Sequence, residues 1–471
     1  MNDPTWVSVL PPVLAIVLAI WTRQVYLSLG AGIWLGWTIM ADWNPFAGLG
    51  RSIEETVAVL ASAGNANVIL FTLVIGALIA TVESSGGVRG FIRYLETREW
   101  VNNGKRSQFL AWIIGVIIFI ESNITVLVSG AVSRPLFDRY RVSREKLAYI
   151  IDSTSASICI LIPLNAWGAY NLGLLDSLGV EDPLGVLLGT IPLNFYALGA
   201  ALLALAVVIW KIDIGPMKKA ELRTQGGVKE WPESQPMIDE EILSPKPNDR
   251  IPPRAVNMVV PITTMVVMMP VGLWITGGGD LRAGSGSTSV LWAVLAALAM
   301  AWGLLLAQKA NTVDELTRTA LKGAGGLVPL ALILLLALAL GNVANALGTG
   351  AWVAQVTTGV FPLFILLPLL FLVSAGIAFS TGTSWGTFAI MLPIAVPVGM
   401  TLGLPLAPFV AAVLSGGIFG DHSSPISDTT IISSMAAATD HIDHVRTQLP
   451  YAMLAAGVAT VAFGVVGATL G

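Results

Sequence analysis

Charge is what this sequence has least of. Asp, Glu, Lys and Arg make up 11% of its 471 residues, against roughly 25% in an ordinary soluble domain. So little charge cannot cover a soluble protein of this size. The deficit is sharpest in residues 323 to 420, which contain no Asp, Glu, Lys or Arg at all. Cysteine is nearly absent too: Cys159 stands alone, which excludes an intramolecular disulfide. A net charge of -4 is too small to point to nucleic acid or to an anionic partner. The H-E-x-x-H motif is missing, and the Gly104-Lys105 pair continues with Arg106, so there is no phosphate loop. A metalloprotease and an ATP-driven pump are thereby disfavoured, and no enzyme is expected.

Apolar residues, in contrast, are abundant. They make up 55% of the chain, and the mean hydropathy is +0.77. Stretches near the 20 residues needed to cross a bilayer recur from end to end. The reading is an all-α polytopic protein of the inner (plasma) membrane, with the lipid bilayer as its surroundings. Spans are expected near 6–22, 25–41, 67–83, 146–175, 184–210, 255–276, 287–308, 325–346, 405–438 and 448–470, about ten in all. No Lys or Arg precedes the first, and Pro11 and Pro12 interrupt it, which suits a retained helix better than a signal peptide. The 15 tryptophans suit membrane interfaces and receive no chemistry, although Trp167 and Trp385 lie close to broken segments.

Two segments, 107–137 and 360–400, read instead as re-entrant hairpins. Each is an apolar helix, a short polar run and a second apolar helix. The runs are Glu121-Ser122-Asn123-Ile124-Thr125 and Ser380-Thr381-Gly382-Thr383-Ser384. Non-helical backbone at membrane depth survives only when buried in protein or lining a cavity. Arg89, Arg93, Arg98, Lys105 and Arg106 precede the first hairpin; Arg134, Arg139, Arg141, Arg144 and Lys146 follow it. Lys and Arg favour the cytoplasmic side, so both ends of that hairpin are expected there.

The halves also match. Ser122 and Thr125 precede Pro135 as Ser380 and Thr383 precede Pro393. After each hairpin comes a span broken by acid and hydroxyl residues, D-S-T-S-A-S at 152–157 and G-D-H-S-S-P-I-S-D-T-T at 420–430. Five spans and a hairpin per half make an odd number, which inverts the second half. Two inverted repeats with broken helices, 1–210 and 255–471, would then flank a Pro-rich cytoplasmic linker, 211–254. This is a common architecture of secondary transporters; chance similarity between Ser/Thr-rich apolar segments is the plainer alternative.

A charge at the bilayer centre costs roughly 2.5 to 3.5 kcal/mol on the insertion scale. The few acids inside expected spans are Glu121, Asp152, Asp421 and Asp428, with Glu83 near a helix end. Each sits close to Ser, Thr or Asn in the chain and beside no Lys or Arg. Such a carboxylate takes a proton or a metal cation, and hard cations prefer oxygen ligands. Asp421 and Asp428 are two helical turns apart, which would put both on one face; Pro425 between them frees backbone carbonyls. The candidate Na+/H+ ligands are Asp421, Asp428, Thr429, Asp152, Ser122, Asn123, Thr125, Thr381 and Thr383. The structural alternative is that the acids cap helix ends and the hydroxyls satisfy the tips. His422, His441 and His444 are candidates for pH sensing, since histidine titrates near neutrality. The 440–444 run D-H-I-D-H has a metal-like spacing, but a solvated cluster at a helix end is the plainer reading. No cofactor is expected beyond transported Na+ and H+.

The stretch G-D-H-S-S-P-I-S-D-T-T-I-I-S-S, then D-H-I-D-H-V-R-T-Q-L-P-Y-A, spans residues 420–452. It resembles the signature of NhaC-type sodium/proton antiporters of the ion-transporter superfamily, whose usual pattern has Cys where Ser423 stands. Superfamily members carry paired hairpins with S-N-T-like tips. The first tip resembles that pattern; the second lacks the Asn. The resemblance implies sodium/proton exchange by alternating access, with small cations as partners, and a homodimer. The family also includes exchangers of sodium with small organic acids of the malate/lactate type. Sodium-coupled transport of an organic anion or amino acid therefore remains the alternative.

Overall fold

The structure, a computed structural model, describes residues 5–22, 24–87, 89–91, 102–119, 122–163, 165–236, 252–280, 284–349, 352 and 362–470. Helices follow one another throughout, with no strand among the described residues. An apolar chain in lipid must satisfy its backbone polar groups within each segment, and a helix does so.

The first half holds α1 (Leu10–Thr22), α2 (Val25–Met40), α3 (Pro45–Ala58) and α4 (Ala63–Ser84), then the pair α5 (Gly104–Ile117) and α6 (Ser122–Arg139). After these come α7 (Arg144–Thr154), α8 (Ala156–Cys159), α9 (Ala166–Ser177), α10 (Pro183–Thr190) and α11 (Phe195–Trp210). Short polar caps start many of them: the Ser143 side chain accepts from Lys146 N–H, and Asn165 accepts from Gly168 N–H. A connecting helix, α12 (Pro216–Gln225), leads to the second half. There lie α13 (Val256–Thr276), α14 (Gly286–Ala307), α15 (Val313–Gly326), α16 (Val328–Ala346), α17 (Leu363–Thr381) and α18 (Ser384–Thr401). The chain finishes with α19 (Leu406–Ser423), α20 (Asp428–Ala437) and α21 (His441–Leu470).

Among the described residues, seven helices are long and apolar enough to cross a membrane: α4, α13, α14, α16, α17, α18 and α21. The α10 segment, extended to Leu193, joins α11 at an angle of 44° as an eighth, bent span. The expected span 146–175 is three pieces, α7 to α9, and 405–438 is two, α19 and α20. Both hairpins form, and the arms of each pack together. They differ in reach. At about 1.5 Å per residue, the 14 residues of α5 fall well short of a bilayer core of about 30 Å. Each arm of the second hairpin is of spanning length.

Two close approaches position the second hairpin. Gly416 and Gly420 face the carbonyls of Phe371 and Ala375, leaving no room for a Cβ. Stacking small residues four apart lets α19 and α17 touch backbone to backbone. At the tip, Gly382 has φ +68°, and a Cβ there would meet the Ile426 carbonyl at 2.6 Å.

The segment after α11 packs on protein through residue 236. Lys146 is buried and pairs with Asp213 at 2.6 Å and Glu221 at 3.2 Å. Arg223 pairs with Glu145 at 2.8 Å and lies over the Trp231 ring. Burial pushes the Asp213 carboxyl above its usual range, with Lys146 opposing the shift. Ser234 donates to Asp443, and the Gln235 N–H to Asp440 at 2.9 Å. This segment thus clasps the start of α7 and the start of α21. Residues 237–251 lie outside the described residues.

Candidate functional site

Helix α19 ends inside the protein. Its last turn carries Asp421, which is 2% exposed. The Ser384 hydroxyl donates to Asp421 Oδ2 at 2.7 Å, and the Ser427 hydroxyl to Oδ1 at 2.5 Å. A hydroxyl has one hydrogen. Ser427 spends its own on Asp421, so the contact of 3.0 Å with Thr429 Oγ1 is a bond donated by Thr429. The result is a chain, Thr429 to Ser427 to Asp421, with Ser384 on the other oxygen. Ser424 fixes the break to the tip by donating to the Phe379 carbonyl at 2.7 Å.

Asp428 opens α20, and its carboxylate accepts from the Thr429 N–H at 2.9 Å. The expectation that Asp421 and Asp428 share one helix face is corrected: the helix ends at Ser423 and restarts at Asp428, with Pro425 in the gap. The two acids remain within electrostatic reach of each other and of Asp152. Asp421 is buried, whereas Asp428 is exposed although protein crowds round it.

Asp152 ends α7 as Asp421 ends α19. In both, the residue three positions on is a serine whose N–H bonds back to the Asp carbonyl: Ser155 at 3.2 Å and Ser424 at 3.1 Å. The surroundings differ. His444 Nε2 lies 3.3 Å from Asp152 Oδ2, the Gln448 amide donates to the same oxygen at 2.8 Å, and His422 Nε2 is 3.9 Å away. Asp152 is therefore not free of basic neighbours, contrary to the sequence reading. Tyr196 bonds His422 Nδ1 at 2.6 Å, and Ser153 bonds its Nε2 at 3.2 Å.

The other candidates are placed as follows. The Thr381 hydroxyl is bonded within its own helix to the Ile377 carbonyl at 2.9 Å, and the Thr383 carbonyl accepts from Thr387. The tip residue on Asp421 is Ser384. In the first tip, Ser122 is buried and Thr125 donates to the Ile118 carbonyl; Glu121 and the Asn123 side chain lie outside what is described. Asn165 ties that tip to the first break, donating to the carbonyls of Phe119 at 2.7 Å and Cys159 at 2.8 Å. His441 and His444 turn to different partners. His441 Nε2 lies 2.6 Å from the Pro425 carbonyl, and His444 is fully buried against Asp152, not solvated. No group of three or more His, Cys, Asp or Glu placed to hold a metal occurs among the described residues. The Trp167 and Trp385 rings pack at a tilt of 37°, with centroids 4.4 Å apart. Ser384, Ser427, Tyr196, Ser153 and Gln448 are not among the residues singled out from the sequence, although all but Tyr196 lie in the quoted motifs.

The chain is similar to known proteins. The chain is 32% identical, over 99% of its length and 92% of the relative's, to an uncharacterised protein of Haemophilus influenzae. Over 129 residues, 25% of this chain and 27% of the relative, it is 36% identical to the Malate-2H(+)/Na(+)-lactate antiporter of Bacillus subtilis. Its fold is similar to that of the YdaH transporter of Alcanivorax borkumensis, with a TM-score of 0.56 at 13% identity, covering 96% of this chain and 98% of that one. A family model described as the Na+/H+ antiporter family matches residues 159–468, which include both breaks' later helices, the second hairpin and the Asp421–Asp428 site. The chain is a multi-pass membrane protein and belongs to the Na+/H+ antiporter family.

Proposed function

We propose that this protein exchanges Na+ for H+ across the plasma membrane, by alternating access at Asp421 and Asp428. The observation that carries the reading is the coordination of Asp421. Each carboxylate oxygen accepts a short bond from a hydroxyl, of Ser384 and of Ser427, and the Ser384 N–H adds a longer one of 3.4 Å to Oδ2. Hydroxyl oxygens can rotate their hydrogens away and offer lone pairs to a hard cation. A proton on the same carboxylate removes the charge that attracts the ion. Asp428, the exposed one of the two, gives the cation a first carboxylate on its way in. The two halves act as inverted repeats, with Asp152 and Asp421 at matching helix ends and the first hairpin entering from the cytoplasmic side.

The test is proton flux from reconstituted vesicles on adding sodium. Wild-type protein should release or take up protons, and Asp421→Asn or Asp428→Asn should abolish the response while still inserting. An amide keeps the shape but cannot ionise. Near-normal exchange by both variants would sink the proposal. The similarity to the malate/lactate antiporter favours a second reading, exchange of sodium with a small organic acid. In the same vesicles, flux that needs malate or lactate as well as sodium would put that reading first.

A further inference from the structure

Gln448 is buried on α21, one helical turn beyond His444, and its amide nitrogen has two hydrogens. One goes to Asp152 Oδ2 at 2.8 Å; the other goes to the His422 carbonyl. These acceptors belong to opposite halves of the chain. Asp152 is in the last turn of α7, and the His422 carbonyl is in the last turn of α19, one residue past Asp421. Carbonyls in the last turn of a helix have no partner within it. Here the following residues cannot help: Pro425 has no N–H, and the Ile426 N–H is bonded to the Ser424 hydroxyl. The Gln448 side chain, 1% exposed, supplies the missing donor from a third helix.

We propose that Gln448 is a positioning residue, which sets Asp421 against the Ser384 and Ser427 hydroxyls by fixing the last turn of α19 to Asp152. It touches neither the ion nor the Asp421 carboxylate. The bond at His422 fixes the peptide next to Asp421, and the bond at Asp152 anchors it to the matching helix end of the other half. The same bond occupies the Asp152 oxygen that His444 Nε2 faces. Two ring and amide nitrogens thus converge on Asp152 Oδ2, and Asp152 serves as an anchor, while Asp421, held chiefly by hydroxyls, takes the cation. The tie explains how one amide holds two broken helices in register without a charge of its own.

The proposal rests on sodium/proton exchange at Asp421, and the test separates the two. Gln448→Met keeps the bulk and removes both donors. Gln448→Asn shortens the reach by one methylene, so that it meets one acceptor at most. In vesicles, Gln448→Met should raise the sodium KM about tenfold with the maximal rate within about twofold of wild type, and Gln448→Asn should fall between. A purely structural role would lower the amount of inserted protein and leave the sodium KM unchanged, and that result overturns the proposal. Should Gln448→Met fail to accumulate, the KM of Gln448→Asn decides in the same way. A second measurement, labelling of Asp421 by a hydrophobic carbodiimide read by mass spectrometry, needs no transported ion. If wild type shows no sodium-driven flux, the functional reading fails by itself. The tie then stands if the Gln448 variants change the Asp421 labelling rate at least threefold, and falls if the rate is unaltered.

Discussion

The Ser384 hydroxyl bonds the Asp421 carboxylate across 2.7 Å, joining the first residue of α18 to the last turn of α19. A hydrogen bond to a charged group is worth about 1.5–3 kcal/mol, and about 1.4 kcal/mol is tenfold in affinity. Ser384→Ala should therefore weaken sodium affinity about tenfold or more. Ser384→Thr, which keeps the hydroxyl, should lose less. Sodium titrations of proton flux check both.

Gly382 should tolerate no other residue. Its φ of +68° is costly for an L side chain, by about 1–2 kcal/mol, and a Cβ would strike the Ile426 carbonyl. Asparagine adopts the left-handed conformation more readily than alanine, but it carries the same Cβ. Gly382→Ala and Gly382→Asn should thus both lose exchange while retaining helix content by circular dichroism. Activity in the Asn variant alone would show that the backbone angle, not the contact, is what matters.

If sodium and a proton compete for one carboxylate, the apparent sodium affinity should weaken as pH falls. The shift should approach tenfold per pH unit once the site is mainly protonated, because one proton must leave for each sodium bound. A sodium KM independent of pH between about 6 and 9 contradicts direct competition.

The clasp around α7 should matter for stability. Glu145 and Arg223 are 2% and 7% exposed, and removing one partner of a buried ion pair costs about 3–5 kcal/mol. Arg223→Met should lower the thermal midpoint of the purified protein clearly, and so should deletion of 228–236, which removes Trp231 and Ser234. A tolerated deletion would mean that these contacts do not hold the helices.

Both ends of the first hairpin should face the same side. With Cys159→Ser as background, Asn102→Cys and Tyr140→Cys should react with an impermeant thiol reagent from one side of the membrane only. Cys159 is fully buried, so the replacement removes little background reactivity. Labelling of the two positions from opposite sides is the result that rules out re-entry.

Much of the fold could be read from residue order, because apolar length and polar interruption are properties of consecutive residues. Both helical hairpins, both breaks and the burial of Asp421 follow from it. Partners brought from afar did not. Nothing near Asp152 in the chain announces His444 and Gln448, which lie almost 300 residues on. Spacing also misled where a helix stops. Residues 421 and 428 would share a face only on a continuous helix, and Pro425 interrupts it. The second tip was read around its threonines, but α17 runs on to Thr381 and uses that hydroxyl internally. The serine that starts the next helix is the residue left facing Asp421.

The meeting of α18 and α19 at one carboxylate has an electrical consequence. Helix α18 presents its N-terminal end, equivalent to roughly half a positive charge, and α19 its C-terminal end, roughly half a negative one. Opposite poles beside Asp421 largely cancel, and the half positive pole of α20 offsets only part of the charge of Asp428 in its own first turn. The field at the site is then set by the two carboxylates. On the proposed exchange, a sodium ion would meet more than one whole negative charge, and a single proton on Asp421 would remove the larger part of that attraction.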